Sequence, residues 1–327
     1  MTLSLDSEVV LLLCSHLALP ETPEFTPLTL REWNPLALKI AASSLASPGG
    51  MLGLTAGDLS RDLEIKESEA QRLAYLLDRG GGLAIELERL ALLGIHPITR
   101  VDRVYPTRLR ERLAGSAPAV LFYAGNLELV GQPGIAVVGS RNLDQTGEDC
   151  AKLVGNACGL LGKVLYSGGA RGVDSISMKA ALDNRGFVVG LLADSLTKAI
   201  RISEYRSAIS RGDMCVMSSY HPEAGFSVGA AMGRNRLIYA LADFAIVIAS
   251  DAQKGGTWAG ASEALRSGWT PVFVLDHASM PEGNQLLSNM GAHLLPYPLP
   301  VSYSNLFDYL EERAGKNQNK VFQPPLL

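Results

Sequence analysis

KVLYSGGARGVDSISMKAAL (residues 163–182) packs a strand, a bend and a helix into one short stretch. Val164, Leu165 and Tyr166 are residues of a buried strand. Gly168, Gly169 and Gly172 then bend the chain, and the residues from Asp174 to about 185 read as a helix. Glycines at such a bend have two uses. They permit a tight turn, or they let backbone N–H groups approach an anion that the positive end of the following helix also favours. Arg171 sits within the bend, and Asp174 reads as the cap of the helix.

The same unit recurs on both sides. AVLFY (119–123), GIAVVG (134–139), FVVGLL (187–192), MCVMS (214–218), FAIVIA (244–249) and PVFVL (271–275) are short apolar runs. Helical stretches alternate with them at about 146–161, 199–211, 234–242, 257–267 and 283–290. Continuous apolar strands alternating with helices predict an α/β fold with a parallel sheet covered on both faces. Strand order is not readable from the sequence. Before residue 115 the pattern changes: strand alternation is absent, and helices are expected near 6–19, 55–62, 66–79 and 83–93. Thr29 with Glu32 reads as a capping box opening a helix to about 45. The glycines at 80–82 read as a break between helices. The expected division is a small helical domain at 1–115, a sheet domain at 116–300 and a tail at 301–327.

The 327 residues are 47% hydrophobic and 19% charged, with a formal net charge of -4. That is globular composition, and it excludes a polycation that binds nucleic acid by bulk charge. Cys14, Cys150, Cys158 and Cys215 form no C-x-x-C pair and read as free thiols of a reducing cytosol. No secretory signal or membrane span is expected, which places the chain in the cytoplasm. The five histidines show no metal spacing, no G-x-S-x-G elbow occurs, and no cofactor is called for.

Ligands of open α/β sheets bind outside the carboxyl ends of the strands. Four loops there each carry a cation, and together they predict an anion-binding edge. The first holds Gly139, Ser140 and Arg141. The second holds Gly168, Gly169, Ala170, Arg171 and Gly172. The third holds Arg234, Asn235 and Arg236 at an expected helix start; residues two apart on a helix diverge, so only one arginine can face a given point. The fourth holds Lys254, Gly255, Gly256 and Thr257. None matches a dinucleotide or P-loop fingerprint. Tyr166, Tyr220, Phe226 and Trp258 are the aromatics placed to stack on bases, with core packing as the alternative. The run VYPTRLRERL (104–113) with Arg103 reads as a solvated helix face, with nucleic-acid backbone contact as the alternative.

GIAVVGSR, YSGGARGVDSISMKAAL, GRNRLIYALADFAIVIASDA and GNQLLSNMGA, in this order, resemble the DprA/Smf family of DNA-processing proteins over about 100–295. The resemblance implies an extended Rossmann-like fold, single-stranded DNA as ligand of the four loops, a homodimer, and loading of a RecA-type recombinase in natural transformation. Four departures stand out: Met178 holds the place of a usual histidine, the loop after FVVGLLADS lacks the family's usual tyrosine-proline pair, KGGTWAGA replaces S-G-[ST]-x-x-T-A, and no winged helix is expected after residue 300. A divergent member also fits regulation or phage defence, sensing DNA or a nucleotide. KGGTWAGASEAL is also similar to the LOG-type nucleoside-monophosphate phosphoribohydrolases, in which Glu263 would be the site carboxylate.

Overall fold

The computed structural model of the chain describes residues 3–299 and 302–318. It divides into two compact units. The first comprises the chain up to Ala124 together with Asp194–Ala199 and Met217–Gly225. Its helices are α1 (Leu5–Cys14), α2 (Leu30–Ala42), α3 (Ala56–Leu63), α4 (Glu67–Leu77), α5 (Gly80–Leu92) and α6 (Thr107–Leu113). Val9 to Leu13 of α1 are fully buried or nearly so and form the centre of this unit. The capping box is present: the Thr29 N–H donates to Glu32 Oε2 at 2.7 Å. Two expectations are corrected. The break between the two helices lies at Asp78 and Arg79, and Gly80–Gly82 form the first turn of α5. A strand, β1 (Ile95–Thr99), lies within the segment expected to be helical, paired antiparallel with β2 (Val120–Gly125). The two recaptured segments are tied together, since the Thr197 N–H and Ser195 Oγ both donate to the carbonyl of Pro222 at 3.1 Å. Arg89 of α5 pairs with Glu223 at 2.9 Å.

The second unit is the α/β sheet predicted from the alternation. Its elements are β3 (Gly134–Val138), α7 (Gln145–Leu161), β4 (Val164–Ser167), α8 (Val173–Asp183), β5 (Phe187–Leu191), the short α9 (Leu196–Ala199, which clusters with the first unit) and α10 (Ser203–Arg211). There follow β6 (Met214–Ser218, whose last two residues cluster with the first unit), α11 (Val228–Leu241), β7 (Phe244–Val247), α12 (Gly255–Ser267), β8 (Val272–Asp276), α13 (Glu282–Asn289), β9 (His293–Pro296) and α14 (Leu306–Gln318). The strand order is β6-β5-β4-β3-β7-β8-β9. Ladders β5/β4, β4/β3, β3/β7, β7/β8 and β8/β9 are parallel. Every residue of β3, β4, β6 and β7 is buried, as a sheet covered on both faces requires. Helices α7 and α8 approach closely because Gly155 has no side chain; a Cβ there would lie 2.4 Å from the carbonyl oxygen of Ser177.

The expected tail is corrected in part: 306–318 form α14, and 319–327 lie outside the described residues. Helix α11 also begins six residues before the expected start at 234, capped by Ser227, whose Oγ accepts the Ala230 N–H at 3.0 Å. Arg234 and Arg236 therefore lie in mid-helix. Gly255, Gly256 and Thr257 are the first turn of α12 rather than a loop before it.

Candidate functional site

The chain leaves β3 toward β4 and leaves β7 toward β8, on opposite sides of the sheet. This is a topological switch point, where the connections diverge and open a crevice at the carboxyl ends. The last bond joining the two strands is Ser140 N–H to the carbonyl of Ala249, at 2.8 Å. Beyond it the loops separate around a cleft of about 410 Å³.

Ten of the fifteen residues expected in the four loops line this cleft: Gly139, Ser140, Arg141, Ala170, Arg234, Asn235, Lys254, Gly255, Gly256 and Thr257. Gly168, Gly169, Arg171, Gly172 and Arg236 do not. The glycines of the second loop serve close packing. A Cβ on Gly168 would lie 1.1 Å from Nη1 of Arg234, so the guanidinium occupies the space a side chain would need. Gly172 has φ +93°, and a Cβ there would meet the carbonyl oxygen of Ser140 at 2.5 Å. Arg171 is exposed outside the cleft.

Asp174 is not the cap expected of it. Gly172 occupies the cap position. The Asp174 carboxylate turns back instead, accepting the N–H of Gly168 at 3.1 Å and of Ala170 at 3.4 Å. Arg234 Nη1 lies 3.7 Å from it, and both side chains are buried. Burial pushes the Asp174 carboxyl up, while the Arg234 charge and the two backbone donors pull it down. The two arginines of α11 diverge as helix geometry requires. Arg236 points away and pairs with Glu263 of α12 at 2.9 Å. Glu263, the carboxylate that hydrolysis would need, is thus engaged outside the cleft.

The cations facing the cleft from its rims are Arg141 and Lys254, both exposed. Between them the first turn of α12 presents backbone N–H groups that no helical carbonyl can use. Asn235 fixes that turn, since its Nδ2 donates to the carbonyl of Gly256 at 2.7 Å. Asp251 is the exposed acid at the opening.

The same cleft carries an apolar bank. Phe226, Val228 and Met232 are 55%, 70% and 47% exposed and line the cleft. The Arg141 guanidinium lies over the Phe226 ring, 5.6 Å from its centroid. Phe226 was an expected stacking aromatic. Met232, whose apolar surroundings read as core, is corrected to a cleft residue, and Val228 stands one turn before it at i, i+4 on the first turns of α11. Tyr166 is fully buried, and its hydroxyl donates to the carbonyl of Gln132 at 2.7 Å. Tyr220 and Trp258 are half-buried and do not line the cleft.

In the basic run at 103–112, Arg110 braces its own unit. Arg110 Nη2 donates to the carbonyls of Arg100 and Asp102, both at 3.1 Å. His221, half-buried in the first unit, accepts the Glu223 N–H at its Nδ1. Among the described residues no group of three His, Cys, Asp or Glu side chains could hold a metal ion, and no helix is long and apolar enough to cross a membrane. The four cysteines are free, and burial pushes the Cys150 and Cys158 thiols up to about 12.

The model of the family described as DNA recombination-mediator protein A matches residues 96–301, a span that encloses the cleft. DNA processing protein DprA of Streptococcus pneumoniae is 31% identical over 201 residues, covering 60% of this chain and 69% of that protein. Protein Smf of Escherichia coli is 28% identical over 233 residues, covering 70% of this chain and 61% of that protein. The solved DNA processing protein A of Streptococcus pneumoniae overlays with a TM-score of 0.66 at 24% identity, over 94% of this chain and 98% of that one. A structure describing the single-stranded DNA binding mode of DNA processing protein A from Helicobacter pylori overlays with a TM-score of 0.53 at 22% identity, over 67% of this chain and 96% of that one. At these identities the two overlays establish the Rossmann-like fold.

Proposed function

The chain belongs to the DNA recombination-mediator protein A family, and from that premise we propose that it binds single-stranded DNA in the cleft at the switch point of its sheet. The observation that carries this reading is the presence, in one cleft, of exposed cations and a helix N-terminus together with an exposed aromatic and apolar bank. A single strand offers both partners at once: phosphates for Arg141, Lys254 and the α12 N-terminus, and bases for Phe226 and Met232. Such contacts are blind to sequence and weaken with salt.

On the same reading we propose that the chain forms a homodimer and delivers single-stranded DNA to a RecA-type recombinase in recombination and natural transformation. The outermost strand β9 supports self-association. Leu294 on it and Met290 just before it are exposed, beside a strand edge that pairs on one side only.

Fluorescence anisotropy with a labelled single strand of about 20 nucleotides tests the binding proposal, with a salt series to count phosphates. Micromolar or tighter binding at low salt that weakens as salt rises is expected. Undetectable binding, or affinity indifferent to salt, would discard it. Release of free base from nucleoside monophosphates would favour the hydrolase reading instead.

A further inference from the structure

One rim of the cleft is held from beneath by a side chain outside it. Asn284, in the first turn of α13, is fully buried. Its Oδ1 accepts the Ser250 N–H at 2.9 Å. Its Nδ2 donates to the carbonyls of Ile248 at 3.0 Å and Leu275 at 3.1 Å. The β7/β8 ladder runs through Val247↔Val274, so Ile248 and Leu275 are the next positions, where the strands begin to part. The carboxamide bridges them as a peptide group would, and its oxygen takes the first N–H of the departing loop. Gly283 brings α13 this near, since a Cβ there would lie 2.2 Å from the Ser250 carbonyl oxygen and 2.6 Å from that of Asp251. Ala249, between the two bonded residues, accepts the Ser140 N–H of the opposite rim. One amide, with its oxygen and its Nδ2 all engaged, thus reaches both sides of the cleft.

Resting on the DNA-binding reading above, we infer that Asn284 is a positioning residue for ligand binding: it sets the separation of the β3 and β7 rims and aims the first turn of α12 without touching the ligand. A fully engaged buried amide has one arrangement, and replacing its donors leaves two strand carbonyls unsatisfied at the root of the loop.

Asn284→Asp is the informative variant. It keeps an oxygen for the Ser250 N–H but turns a second oxygen toward the carbonyls of Ile248 and Leu275. Ionised, that oxygen repels them; protonated, it donates to one. The expected result is at least a tenfold loss of affinity for a labelled 20-nucleotide single strand at pH 8. At pH 5 the affinity should recover to within about threefold of wild type at the same pH. Asn284→Ser, which carries no titratable group, should lose affinity at both pH values. Hydrogen exchange supplies the readout independent of DNA: faster exchange confined to 250–257 is expected in both variants at pH 8. Wild-type affinity and wild-type exchange in either folded variant overturn the inference, as does loss of protection spread evenly over the sheet. If wild type itself fails to bind DNA, the ligand reading falls and the exchange pattern alone decides the role of Asn284.

Discussion

Gly168 and Arg234 occupy one another's space, so each constrains the other. In Gly168→Ala the new Cβ must displace the guanidinium that lies 1.1 Å from its position, pulling Arg234 from Asp174. Separating a buried pair costs about 3–5 kcal/mol, and chemical denaturation should show a loss of that order. Arg234→Ala leaves the buried carboxylate without its cation. Burial then holds the Asp174 carboxyl further above its ordinary value than in wild type. A raised carboxyl binds its proton more tightly when folded, so its contribution is full below the unfolded value of about 4 and is lost as pH rises through the folded one. The melting-temperature gap between wild type and Arg234→Ala should therefore widen from pH 5 to pH 8; a constant gap would show that Asp174 does not titrate in that window. Phe226 and Arg141 separate differently. Phe226→Ala should weaken single-strand binding by roughly 5- to 160-fold, the range of one stacked base, with the salt slope unchanged. Arg141→Ala should reduce that slope by about 0.7, the share of one phosphate.

At the level of elements, α11 ties the apolar bank to the buried pair, because Val228, Met232 and Arg234 all lie on it. Its cap is Ser227, which accepts the Ala230 N–H. Ser227→Ala should cost about 1 kcal/mol and fray the turn carrying Val228, so affinity should fall while Arg236 keeps its bond to Glu263. Much of this level was legible in the sequence. The buried strands of a parallel sheet are continuous apolar runs that little else imitates, and the strand-to-helix loops follow from them. The start of α11 was not legible, because Gly229 and Gly233 dilute its helical pattern and no acidic residue marks its first turn. Strand β1 was hidden by His96 and Pro97 in a run of five, and the Gly80–Gly82 turn of α5 by low helix propensity that packing overrides. Asp174 sits where a cap is expected, and only the folded path of Gly168–Ala170 shows which N–H groups it takes. The switch point depends on strand order, a non-local property with no local signature.

For the whole molecule, the formal charge of -4 means that attraction to DNA must come from the cleft rather than from the net field. Lys254→Ala combined with Arg141→Ala should lower the salt slope by about 1.4, two single-strand phosphates, whereas exposed-lysine changes far from the cleft should leave it alone. Self-association is testable at the same scale: if β9 is the contact, Leu294→Lys should shift sedimentation velocity to the monomer while the affinity of each chain for a short strand persists. The strand order bears on folding as well. Strand β3 pairs with β4 on one side, and its other edge stays open until β7 arrives after three intervening strands. A nascent chain released before β7 therefore presents an unpaired, wholly apolar edge at the centre of its sheet, a template for misassembly. Closure of that edge and completion of the cleft are one event, so recovery of DNA binding in a refolding experiment should coincide with the slowest, most non-local step.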